Sequence, residues 1–89
     1  MIYIWLSSPQ LAYQRVKLRY ERGGHYVDEE TVHRRYERGR KNLKDLYLGI
    51  ADNWQIYDNS NDDIVLISER SLSGSDIIFD EIINHKIIK

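Results

Sequence analysis

The sequence has no cysteine. Disulfides and cysteine-ligated metal sites are therefore excluded, and a cytoplasmic setting is expected. It has no apolar run near the roughly 18 residues that a membrane-spanning helix needs. The opening decapeptide, MIYIWLSSPQ, has no basic side chain and only a short apolar stretch, so it does not read as a secretory signal. There is no internal repeat and no low-complexity segment. There is also no G-x-x-x-x-G-K-[ST] phosphate loop, no Ser-His-Asp arrangement and no H-E-x-x-H. Phosphoryl transfer needs a phosphate cradle, a lysine on the phosphates, a magnesium ligand and a group that orients the nucleophile. Read by itself, the chain lacks a full catalytic set.

What is present is one domain's worth of ordinary globular sequence: 89 residues, 42% apolar and 30% charged, enough for a modest core. The net charge of −1 hides an asymmetry. Residues 11 to 44 carry ten Lys/Arg against five Asp/Glu, a net of +5. Residues 45 to 89 carry three against nine, a net of −6. This permits two readings. The halves can face and neutralise each other, or the basic half can meet an anionic ligand.

IYIWL, from residue 2, is a continuous apolar run with β-branched and aromatic members. It predicts a strand buried on both faces, as in a parallel sheet. Such a strand needs neighbours on both sides, and the chain has few strands to offer. Ser8 can cap a helix with Pro9, the one proline, in its first position. That helix is expected to run to about Arg22 and stop at Gly23-Gly24. Asp28 can cap a second helix, with Glu29 and Glu30 at its positive end. Its stripe is Val32, Tyr36, Leu43, Leu46, Tyr47 and Ile50, with Gly39 on the same side. WQIYDNS and DIVLISE read as strands. DIIFDEIINHKIIK reads either as a short strand plus helix or as one terminal helix. The order β-α-α-β-β-α places the chain in the α/β class.

On a helical wheel Arg15, Arg19 and Arg22 fall together at i, i+4 and i+7. They lie beside the apolar residues, away from the most polar face, and none has a carboxylate at i±3 or i±4. In the second helix Arg34, Arg40 and Lys41 can pair locally with Glu30, Glu37 or Asp45 and read as solvated surface pairs, whereas Arg35 and Arg38 have no such partner. A guanidinium donates two parallel hydrogen bonds to a phosphate. Two arginine-bearing helices meeting at a Gly-Gly turn can therefore form a phosphate-directed clamp. The bland alternative is a solvated hairpin neutralised by the acidic half. A lone histidine such as His25 in a turn is more often a capping or packing residue than a catalyst, and no metal site is expected. RRYERGRK could read as a nucleic-acid patch, but the pI of 6.3 argues against it.

The string LSSPQLAYQRVKLRYERGGHYVDEETVHRRYERGRKNLKDLYLGIADNWQIYDNS resembles the C-terminal half of zeta-toxin-like P-loop kinases, the group also described as predicted ABC-type ATPases. The similarity spans residues 3 to about 67. It rests on motifs in fixed order: Arg15-Val16, Arg19, Gly23-Gly24-His25, Val27, Arg34-Arg35-Tyr36, Arg38, Asn42-Leu43, Ala51-Asp52, Trp54 and Tyr57-Asp58-Asn59-Ser60. Asp28 stands where the family commonly has proline. The resemblance implies a partial P-loop-kinase-like layer: an incomplete parallel sheet with a helical-hairpin lid. Residues 1–7 would be the strand, 8–51 the lid and 52–89 the remaining strands and C-terminal helix. It implies that lid residues Arg15, Arg19, Arg35 and Arg38, supported by His25 and Asn42, bind nucleotide phosphates. ATP and Mg would then act only within a complete kinase, since the family's phosphate loop, catalytic acid and substrate-binding residues belong to an N-terminal half whose motifs are not in this sequence. Because the sheet is incomplete, the chain is expected not to stay a monomer, its open edge being covered by a second copy or by a chain supplying that half; an antitoxin is a further candidate partner. A non-catalytic oligomerising or partner-binding module is the alternative.

Overall fold

The computed structural model describes residues 1–88, the side chains of residues 46 and 47 excepted. Strand β1 (Ile2–Trp5) leads into helix α1 (Pro9–Glu21) and helix α2 (Glu29–Asn42). α2 continues through a π-helical stretch (Leu43–Tyr47) into a single last turn, α3 (Leu48–Ile50). Strands β2 (Trp54–Asp58), β3 (Val65–Arg70) and β4 (Asp76–Ile78) come next, then helix α4 (Glu81–Ile88). The sheet order is β1-β2-β3-β4. The sheet is mixed and not parallel throughout: β1 and β2 are parallel, while β2–β3 and β3–β4 are antiparallel. The tail after the third strand forms both a short strand and a helix. Lys89 lies outside the described residues.

The helix ends obey their sequence signals. Ser8 Oγ accepts from the Leu11 N–H at 3.1 Å, and Pro9 opens α1. At the other end Gly23 N–H donates to the Tyr20 carbonyl and Gly24 N–H to the Arg19 carbonyl, the paired bonds that close a helix through a left-handed residue. Gly23 takes that conformation, with φ of 98°. A Cβ on Gly24 would meet the Arg19 carbonyl oxygen at 2.8 Å, so this residue has to be glycine for the backbone to turn back so tightly. Asp28 caps α2 through Thr31, accepting from both its N–H and its hydroxyl.

The core lies between one face of the sheet and the helices. Trp5, Leu43, Trp54, Ile56, Ile67 and Ile87 are buried together, with Tyr3, Leu48, Ala51, Ile83 and Ile88 packed against them. A bulge in β3 makes this possible. Ile56 faces Ser68 and Tyr57 faces Leu66, so Ile67 is the extra residue. Two consecutive side chains, Ile67 and Ser68, are thereby both buried, which strict alternation would forbid. Ser68 Oγ then donates to Asn84 Oδ1 at 2.7 Å, which satisfies the buried polar pair and fixes α4 on β3.

Three expectations change. β1 is an edge strand with one covered face: Trp5 is buried and Tyr3 half-buried, whereas Ile2 and Ile4 are 65% and 53% exposed. The apolar run looked doubly buried because sequence cannot show that one face lacks a covering layer. The stripe of α2 also shifts. Val32 and Leu43 are buried and Tyr36 is half-buried, but Ile50 is 75% exposed and Leu48 faces inward instead, while the side chains of Leu46 and Tyr47 lie outside the described residues. The π-helical stretch adds a residue to the turn and rotates the last helical turn out of phase. Finally, Arg40 is not a solvated partner of Glu37 alone. It is half-buried, and its Nε donates to the Ile87 carbonyl at the C-terminal end of α4, where a cation also suits the helix dipole.

Replacing Ile56 by alanine should destabilise the fold by about 2–5 kcal/mol, the cost of a cavity at a fully buried site. Ile50→Ala should cost less than about 0.5 kcal/mol, since the side chain is exposed. Urea unfolding of both variants checks this. Equal losses would place Ile50 back on the buried stripe.

Candidate anion-binding groove

β1 and β2 run parallel, so both carboxyl ends reach the same side of the sheet. The loop after β2 ties them together there. Asn59 N–H donates to the Trp5 carbonyl at 2.9 Å, and Ser7 N–H donates to Ser60 Oγ at 2.8 Å. Ser60 in turn donates through its N–H and its hydroxyl to Asp58 Oδ1. The Asp58 carboxylate is thus engaged in shaping the turn, while the Asn59 side-chain amide makes no hydrogen bond among the described residues.

α1 leaves from this end of β1 and turns its arginine row over it. Arg15, Arg19 and Arg22 line a groove of about 500 Å³ with Ile4, Leu6, Leu18 and Asn59. Arg15 is half-buried, and Arg19 and Arg22 are exposed. No described carboxylate lies within 4 Å of any of the three. The lining combines cationic and amide donors with an apolar floor, and it contains no carboxylate, histidine or lysine. That set can hold an anion. It includes no group suited to proton transfer at neutral pH.

A second recess of about 290 Å³ lies on the other side of Ile4 and Leu6, beneath the hairpin. Tyr3, Ala12, Val16, Val27, Val32, Tyr36 and Gly39 line it, and Arg35 stands at its polar margin. The Tyr36 hydroxyl donates to the Leu6 carbonyl at 2.6 Å and links the hairpin to the strand end. Burial, more than its neighbours, pushes the Tyr36 phenol above its ordinary pKa, so it stays a donor at neutral pH.

The six residues singled out in the sequence are therefore not gathered in one place. Arg15 and Arg19 share the groove, and Arg35 lines the adjoining recess. Arg38 is exposed on α2, His25 is exposed in the turn, and Asn42 is half-buried at the end of α2; none of the three lines either cavity. Two groove residues lie outside that set of six. Arg22 completes the i, i+4, i+7 row and was legible from that spacing. Asn59 reaches the groove only because β1 and β2 pair in parallel, a long-range fact without a local signal. The pairs expected for Arg34 and Lys41 do not form among the described residues. Comparison with protein-family models, with curated proteins and with solved structures finds no match to this chain.

The turn that sets the angle of the hairpin depends on Asp28. Its carboxyl pKa is lowered, first by the hydrogen bond from the Thr31 hydroxyl and then by that from the Thr31 N–H. A lowered folded pKa gives stability that is present above the ordinary aspartate value, about 3.9, and is lost as pH falls through the lower folded value. Asp28→Asn keeps an acceptor but cannot titrate. The melting-temperature gap between wild type and D28N should be constant above about pH 5 and shrink on acidification. Melts across that range check it, and a gap that widens in acid would contradict the cap.

Proposed function

We propose that this chain binds the phosphate groups of a nucleotide in the groove beneath α1, as the lid-bearing portion of a zeta-toxin-like kinase. One observation carries the reading: three arginines without carboxylate partners and a free amide share a groove at the carboxyl ends of two parallel strands. Ligands of open α/β sheets bind outside the carboxyl ends of their strands, which is where this groove lies. The order of motifs from Arg15 to Ser60 points the same way. The groove supplies positive charge and orientation and no nucleophile or base. Transfer of phosphate therefore needs the cradle and Mg ligands that the sequence motifs do not provide. Within a complete kinase, Arg15, Arg19 and Arg22 would meet the negative charge of the phosphates and help exclude water.

Calorimetric titration of the 89-residue chain with ATP tests this. Binding should be weaker than micromolar at low salt and should fade by physiological salt, where the screening length is about 8 Å. Arg19→Ala should weaken binding about two- to fivefold, as befits an exposed contact, while Arg34→Ala should leave it unchanged. No heat at low salt, or equal losses in both variants, would sink the assignment of the groove.

A further inference from the structure

The free edge of β1 carries a second property, independent of the nucleotide reading. In a parallel ladder the N–H and C=O of one residue point to the same side. The Met1 and Trp5 carbonyls accept from Gln55 and Asn59 of the β2 side, so odd-numbered residues face β2. Ile2 and Ile4 therefore turn their N–H and C=O groups outward, and no described residue bonds to them. The next outward carbonyl, that of Leu6, is taken by the Tyr36 hydroxyl. The open edge thus holds two donors and two acceptors, spaced symmetrically about Tyr3. Sheet edges are commonly blunted by shortness, by a covering helix or loop, or by lysine, proline, a bulge or a charge. β1 is short, and α2 covers its Leu6 end, but the segment Ile2–Trp5 has no lysine, proline, bulge or charge.

We infer that β1 pairs antiparallel with β1 of a second copy about a twofold axis at Tyr3. In that register Ile2 of each copy exchanges both backbone hydrogen bonds with Ile4 of the other, so all four open groups of each edge are satisfied and the strand is its own complement. The side chains agree. Ile2 and Ile4 lie exposed on the uncovered face of the sheet, and each comes to stand directly opposite the other's counterpart. The edge becomes the centre of an eight-stranded sheet, and Ile4 is then shared between the interface and the margin of the arginine groove.

Sedimentation of the 89-residue chain across a concentration series tests the inference. A dimer of twice 10.7 kDa is expected. Proline is tolerated where an edge N–H faces solvent, so Ile2→Pro should weaken the dimer about tenfold or more and leave the far-ultraviolet circular dichroism unchanged. A chain that stays monomeric, or a dimer untouched by Ile2→Pro, would overturn the pairing. A Tyr3→Cys variant keeps the test decisive if the proline variant fails to fold. The two Tyr3 residues would be a non-hydrogen-bonded pair with Cα atoms about 4.5 Å apart, within reach of a disulfide. Oxidation should link the copies. A dimer that resists cross-linking would rule out this register.

Discussion

The parallel pairing of β1 with β2 is the constraint on which the rest depends. Parallel neighbours cannot be joined by a tight turn, so the chain needs a long crossover. Here the crossover is the α1–α2 hairpin with its π-helical extension. The pairing puts the carboxyl ends of both strands together, where Ser7, Asn59 and Ser60 tie them. It sends α1 away from that same end, so the arginine row must pass over it. It also leaves β1 at the border of the sheet, since all later pairing is antiparallel and extends from the other side of β2. Groove and open edge are thus two consequences of one choice of strand direction.

The arginines show how place decides role. Arg40 spends its Nε on the Ile87 carbonyl at the end of α4. Arg70 is held by Asp76 through two hydrogen bonds, donates to the Leu48 carbonyl and lies over the Trp54 ring. Both are structural. Arg15, Arg19 and Arg22 have no such engagement, and they stand where an apolar floor and a free amide complete a concave surface.

What could be read from sequence was local. The caps at Ser8 and Asp28, the Gly23-Gly24 stop and the i, i+4, i+7 row each depend on residues within two turns of one another. What escaped depends on distant partners. Whether Ile2 and Ile4 are buried is decided by what covers the sheet, and IYIWL is equally apolar in either case. Strand direction escaped because a β-branched run pairs in either sense. The inward turn of Leu48 in place of Ile50 escaped because the π-helical stretch has no signature in a 3.6-residue period. Arg40 and Asn59 acquire their roles across 47 and 54 residues of chain respectively, through Ile87 and Trp5.

The same asymmetry governs how the molecule can move. Its radius of gyration is 14.1 Å, against about 12 Å for a compact chain of this length. The excess comes with extents of 43 × 26 × 22 Å, an elongated shape in which the hairpin stands out from the sheet. The buried core sits between the sheet, the end of α2 and α4. α1 contributes no fully buried side chain, and in the hairpin itself only Val32 is buried. Elements with little buried apolar contact occupy the low end of local stability. The cost of swinging α1 is therefore set by its half-buried contacts with α2 and the strand end, and the sheet core need not open. The unpaired arginines thus sit on a segment that is lightly anchored, above strand ends that Asn59 and Ser60 tie together.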